Sequence, residues 1–262
     1  MTAPDSVQRY ALRMVDVQKY FAGIHALRDI NLDVGENEIV GLIGDNGAGK
    51  STMVKILSGV FPPTSGDLYV AGRKLDLRAY SVKRAHEYGI ETVYQDKSLG
   101  EKQGLWRNFF VGREITNRFG FIDVKKEKEI ASQIMVNTIG FRGRGLTVDS
   151  RVNKLSGGER QGVAIGRAMH FEAQVIILDE PTVALSLKEV QKVLTFVHKI
   201  KEGGKACIYI SHAMADVYEI SDRFVVLDRG RIVASIPKAD ISLNALDEFL
   251  LQYAHGLKDT ED

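Results

Sequence analysis

Gly44, Asp45, Asn46, Gly47, Ala48, Gly49, Lys50, Ser51 and Thr52 spell GDNGAGKST, and this stretch decides the fold of the 262-residue chain. It fits G-x-x-x-x-G-K-[ST], a loop whose backbone N–H groups cradle nucleotide phosphates. Its glycines let the backbone come close to the phosphates. The helix that follows points its positive dipole end at them. In such a loop Lys50 reaches the β- and γ-phosphates, and the Ser51 hydroxyl ligates Mg2+. The flanks suit the motif. Glu38 to Ile43 is a compact apolar run. After the loop, Met53, Val54, Ile56 and Leu57 give a helix its inward face, and Ser58-Gly59 ends it. The order is strand, tight turn, helix.

Outward from the loop, Tyr10 to Tyr20 and Leu27 to Val34 alternate apolar and polar residues, as half-buried strands do. Asp67 to Leu77 reads as a hairpin turning at Ala71-Gly72-Arg73. Ile90 to Tyr94, Val175 to Leu178 and Ala206 to Ile210 read as buried strands, with a helix over Val190 to Ile200. This β-α-β alternation predicts a mostly parallel sheet covered by helices. Between Gln95 and about Lys154 the chain turns helical and charge-rich, with Asp123 to Ile134 its clearest helix, and reads as an inserted lobe. Phe224 to Leu227 and Arg231 to Ile236 flank a hairpin turn at Asp228-Arg229-Gly230. Asn244 to Ala254 reads as a last amphipathic helix.

Three strand ends carry candidate chemistry. Asp179 and Glu180 follow Val175 to Leu178. A carboxylate there can hold Mg2+, directly or through water, and the next can polarise an attacking water. Gln95 ends the strand Ile90 to Tyr94 and can bond both a metal shell and a water. His212 follows Ala206 to Ile210, where a neutral imidazole can contact the γ-phosphate and orient the water.

The stretch from Leu155, LSGGERQ, resembles the signature of the ATP-binding cassette (ABC) ATPases, and VIILDE follows it. Taken in order, the motifs resemble those of the nucleotide-binding subunit of an ABC transporter across roughly Val15 to Arg231. The resemblance implies an α/β fold of the P-loop NTPase class. It would have a mostly parallel core sheet, an antiparallel β subdomain and a helical subdomain inserted at about 96–158, all in one ATP-binding domain. Phe21 matches the aromatic that stacks on adenine, with Tyr20 the other candidate. The family implies a head-to-tail homodimer sandwiching two ATP molecules with Mg2+. Each site would take the loop, Gln95, Asp179, Glu180 and His212 from one chain. It would take Ser156, Gly157 and Gly158 from the other, whose hydroxyl and N–H groups suit an anion at a helix N-terminus.

The turn after Glu180 departs from the family pattern. The usual S-A-L-D reads Val183-Ala184-Leu185-Ser186 here, so the carboxylate is missing at Ser186. EPTVALSLKE, GDNGAGKST and VYQD resemble the monosaccharide-import branch. That branch implies integral membrane permease partners, an indirect link to a solute-binding protein, and a place at the cytoplasmic face of the membrane. A soluble ABC ATPase acting on DNA, ribosomes or cluster assembly, and an exporter subunit, stand as alternatives. Against the DNA-acting type, only about a hundred residues separate loop and signature, with no sustained heptads.

Composition agrees. With 35 basic and 34 acidic residues the net charge is +1, which gives no electrostatic case for nucleic acid as a partner. No apolar run approaches a membrane span. The one cysteine, Cys207, sits in an apolar run and reads as core filler. Phe141 to Gly145, FRGRG, reads as a solvated loop, and Asp123 to Glu129, DVKKEKE, as an exposed helix face.

Overall fold

The structure is a computed structural model, and it describes residues 10–94, 99–141, 145–171 and 173–254. The elements run β1 (Tyr10–Phe21), β2 (Ile24–Gly35), β3 (Ile39–Ile43), α1 (Lys50–Leu57), β4 (Ser65–Val70), β5 (Arg73–Lys74), α2 (Val82–Glu87), β6 (Ile90–Val93), α3 (Leu105–Phe110), α4 (Val124–Gln133), α5 (Gly157–His170), β7 (Val175–Asp179), α6 (Leu187–Glu202), β8 (Ala206–Ile210), α7 (Met214–Ile220), β9 (Arg223–Asp228), β10 (Arg231–Pro237) and α8 (Leu243–Ala254).

Two sheets result. The larger has the order β10-β9-β3-β8-β7-β6. Its pairs from β9 to β6 are parallel, and β10 adds an antiparallel edge. The smaller is antiparallel, in the order β2-β1-β4-β5. The central strands are apolar on both faces because both faces are covered. Along β3, Val40 and Leu42 face the antiparallel sheet and α1, whereas Ile39 and Ile43 face the layer of α5, α6 and α7. β8 splits the same way, with Ile208 and Ile210 on one side and Cys207 and Tyr209 on the other. Cys207 is wholly buried, as core filler should be, and burial pushes its thiol pKa up.

A third apolar cluster gathers Leu105, Phe109, Phe110, Ile134, Met135, Ile139 and Phe141 around the start of α5. Val163 of α5 belongs to this cluster, while Ala164, Ile165 and Ala168 of the same helix belong to the sheet's core. So α5 is shared between the two bodies. Its glycines allow the sharing: a Cβ at Gly162 would come within 2.6 Å of the Phe196 ring, and one at Gly166 within 2.9 Å of Ile139.

Two readings of the polar stretches change. The run Asp123 to Glu129 is not wholly a solvated face, because Glu127 is 1% exposed and its Oε1 accepts from the Ile115 N–H at 2.8 Å. That carboxylate turns inward to satisfy the loop after α3. α4 also runs on past Gln133 as a π-helical segment, Ile134–Ile139, which ends at Gly140 with φ 80°. Of FRGRG, Phe141 is buried in the third cluster, and 142–144 lie outside the described residues.

Candidate functional site

β3 delivers the chain into the phosphate loop at the C-terminal end of the parallel strands. The neighbouring β8 and, beyond it, β7 end at the same edge, with Asp179 opposite Ile210. Strand order therefore brings together groups that lie far apart in the sequence, such as Asp45 and His212. They line one cleft of about 580 Å³, including Asp45, Asn46, Gly47, Gly49, Lys50, Ser51, Thr52, Asp179, Glu180 and His212.

The loop's shape depends on glycine. Gly49 has φ 114° and Gly47 φ 88°. A Cβ at Gly49 would lie 2.8 Å from Leu27 Cδ2 and 3.0 Å from the Ala26 carbonyl. At Gly44 it would lie 2.2 Å from the Leu227 carbonyl. The loop is also pinned from outside. Gly230 N–H donates to the Ala48 carbonyl at 2.8 Å, and Arg28 N–H donates to the Gly230 carbonyl at 2.7 Å. Hence β2 and the β9–β10 turn brace the loop.

Lys50 is buried. Its Nζ donates to the Gly44 carbonyl and, at 3.0 Å, to the Asp45 carbonyl. Burial lowers its pKa, while Glu180, Asp45 and Asp179 pull it up. Burial raises the Asp179 carboxyl, and Lys50 opposes that shift.

Glu180 sits at φ 52°, a left-handed conformation that a non-glycine residue adopts at a cost. Its N–H donates to the Ile210 carbonyl at 2.9 Å, which locks the turn to the end of β8. Its Oε1 lies 3.3 Å from His212 Nε2, and its Oε2 accepts from the His212 N–H at 3.4 Å. The Oε1 contact lacks hydrogen-bond alignment, so that buried oxygen is left without a hydrogen-bonding partner. Burial raises the Glu180 pKa above the usual carboxylate value, with His212 opposing. A buried carboxylate with a free lone pair beside an imidazole can accept a proton from water.

Not every expected residue lies in this cleft. Phe21 ends β1, is 40% exposed, and meets Phe61 edge-on at 5.2 Å. Tyr20 stacks on His25 at 3.9 Å, and it is His25, with Ile24, Ala26 and Arg28, that forms the cleft wall. Ser156, Gly157 and Gly158 lie at the start of α5, apart from it. There Gly157 borders a second hollow of about 410 Å³ with Val183, Ala184, Leu185 and Glu189. Gln95 lies outside the described residues, beyond β6, whose Val93 pairs with Leu178 of β7. Sequence reasoning missed His25, Arg28 and Arg229 as lining residues. No local motif marks them, since strand pairing alone carries them to the loop.

A parallel sheet, a phosphate loop at its C-terminal edge and a carboxylate pair at the end of the strand next but one define a nucleotide-binding P-loop domain. The ABC transporter family model matches residues 27–183. The chain belongs to that family, as an ATP-binding cassette that hydrolyses ATP. It is 38% identical to the xylose/arabinose import ATP-binding protein of Sulfolobus acidocaldarius, over 94% of this chain and 95% of that one. It is 33% identical to the ribose import ATP-binding protein of Caldanaerobacter subterraneus subsp. tengcongensis, over 92% of this chain. There it spans about half the relative's length, 47%. Among solved structures, it resembles an ABC transporter cassette in its ADP conformation, with TM-score 0.79, 22% identity, and 94% and 99% of the two chains covered. It also resembles a dimeric cassette in a post-hydrolysis state bound to ADP and Pi, with TM-score 0.70, 26% identity, and 87% and 98% covered.

Proposed function

We propose that this cassette is the ATP-hydrolysing subunit of an importer for a small solute, a monosaccharide in the first instance, acting through a separate membrane permease. The observation that carries the reading is the split of its anion-binding parts. The loop, Lys50, Asp179, Glu180 and His212 share one cleft, while Ser156 to Gly158 begin α5 outside it, where Gly157 borders another. One chain thus offers two half-sites, which two copies placed head to tail would complete. The names of the relatives support import of pentoses, and the dimeric cassette of similar fold supports the pairing. Among the described residues no helix is long and apolar enough to cross a membrane, so a permease partner would hold the cassette at the membrane's cytoplasmic face. A solute-binding protein would act on that permease from the far side.

In this reading the loop N–H groups and Lys50 hold the β- and γ-phosphates. Glu180 accepts the proton of the attacking water, and His212 orients that water and steadies the carboxylate. Gln95, outside the described residues, would contribute an oxygen to the metal shell and would link the site to the helical lobe of about 96–158, which would dock on the permease. Phe21 carries the base at the rim. Mg2+ fits the donors present. Ser51 and Asp179 offer one hydroxyl and one carboxylate, and the described residues hold no cluster of three or more metal-binding side chains. Such a sparse set suits an ion that keeps waters and takes phosphate oxygens. When bound, it would neutralise charge on the β- and γ-oxygens.

The test is a tagged Glu180→Gln variant, purified with ATP from gently solubilised native membranes. A multi-span membrane chain in stoichiometric amount, and stimulation of the parent ATPase by a pentose-loaded binding protein, are expected. Recovery of ribosomes, DNA or soluble assembly factors alone would overturn the importer reading. Turnover by Glu180→Gln at the parent rate would remove Glu180 as the base.

A further inference from the structure

Ser186 stands where the family usually has an aspartate, and it begins α6 as its N-cap. Three residues on, Glu189 folds back over that start. Its Oε2 accepts from the Ser186 N–H at 3.1 Å and from the Ser186 hydroxyl at 3.0 Å. Its other oxygen leaves α6 altogether and accepts from the Gly158 N–H, at the start of α5, at 3.3 Å. Glu189 therefore takes one of the donors that the signature would offer to a phosphate, the Gly158 N–H.

The surrounding packing makes this contact specific. A Cβ at Gly158 would lie 3.1 Å from Glu189 Cβ, and one at Gly157 would lie 2.4 Å from Leu185 Cδ2. Gly157 and Gly158 put no side chain on the α5 side of this contact, so a carboxylate on the first turn of α6 can reach the first turn of α5. The residue at 186 matters too. A serine donates its hydroxyl to Glu189, whereas an aspartate there would set a second negative charge against it.

We infer that Glu189 is a positioning residue that ties the Ser186 turn to the signature and occupies the signature's anion cradle until the γ-phosphate of a facing nucleotide displaces it. The inference rests on the head-to-tail reading above. It gives the cassette a built-in competitor: the carboxylate stabilises the lone chain and raises the ATP concentration needed to close the dimer. Displacement also frees the Ser186 turn, so phosphate arrival at one half-site loosens a turn that borders the same hollow.

The experiment measures dimer fraction against ATP concentration by light scattering, in the slowly hydrolysing Glu180→Gln background. Adding Glu189→Gln should lower the half-maximal ATP concentration by about three- to tenfold, the net worth of one ordinary hydrogen bond. Glu189→Asp, one methylene shorter and still charged, should move it the same way because the carboxylate no longer reaches Gly158. A merely structural role predicts the opposite, a weaker dimer. Half-maximal values that stay unchanged or rise in both variants would overturn the inference while leaving the dimer reading intact. Absence of ATP-driven dimers in Glu180→Gln alone would overturn the dimer reading and the inference with it.

Discussion

Two helices in this cassette begin where an anion is expected, and they begin differently. α1 starts on Gly49 at φ 114°, with no side chain capping it and no acid in its first turn. α5 starts on Ser156 inside a capping box, in which Ser156 Oγ accepts from the Glu159 N–H at 3.3 Å and Glu159 Oε2 from the Ser156 N–H at 3.0 Å. Glu189 adds a second carboxylate there. The first start relies on backbone strain and a cation, Lys50. The second is supplied with the chain's own acids. Under the head-to-tail reading proposed above, the difference follows from when each meets its anion. A loop that binds nucleotide within its own chain can hold its N–H groups ready. A start that meets phosphate only when a second molecule docks must satisfy its donors meanwhile, because bare helix N-termini are costly.

The largest way to break this contrast is to remove the cation from the first start. Lys50→Ala should lower kcat by about 10²–10³-fold, the usual loss when one preorganised donor to developing charge is deleted. Steady-state phosphate release checks it. Retention of more than a tenth of the activity would mean that the loop N–H groups suffice alone.

Next comes the strain. Gly49→Ala must place a Cβ at positive φ and within 2.8 Å of Leu27 Cδ2, so it should cost about 1–3 kcal/mol in urea unfolding without nucleotide. Gly47→Ala is the sharper control. Its φ is 88°, yet no atom lies within 4 Å of the added carbon, so only the backbone term remains and the loss should be smaller. Equal losses would show that the brace from β2 contributes nothing.

These two glycines also mark what could be read from the sequence. GDNGAGKST, Asp179, Glu180 and His212 were legible because each is local, a short motif at the end of an apolar strand. The α/β fold and its mostly parallel sheet were legible for the same reason, through alternating apolar strands and helices. The bracing of Ala48 by Gly230 and Arg28 was not, since it depends on β9 lying beside β3. Glu127 reads as one charge in a polar run, and only the chain's return at Ile115 explains its burial. Glu189 was visible as an acid shortly after Ser186, but its bond to Gly158 arises from helix packing 31 residues away.

At the second start the expected losses are smaller. Ser156→Ala removes the cap of α5 and should cost about 1 kcal/mol of unfolding free energy. It should also weaken ATP-driven dimers, since the hydroxyl is one of the proposed phosphate donors. A variant that loses stability yet dimerises like the parent would confine Ser156 to capping.

The smallest effect separates the two starts by pH. Glu189 is held down to about 2, first by the Ser186 N–H, then by the Ser186 hydroxyl and the Gly158 N–H. A carboxyl whose folded pKa lies below its unfolded value of 4.5 contributes stability above pH 4.5, and that contribution fades as pH falls through about 2. Lys50 behaves oppositely. Burial lowers its folded pKa below 10.5, so the unfolded chain binds its proton more tightly, and folded stability rises as pH climbs toward 10.5. The advantage of the parent over Glu189→Gln should therefore shrink on the acid side only. The parent should gain on Lys50→Met on the alkaline side only. Solvent screens Glu189, so the acid effect should also weaken with added salt. Matching pH profiles for the two variants, each read as a urea midpoint, would mean that the two helix starts do not differ in the charge that holds them.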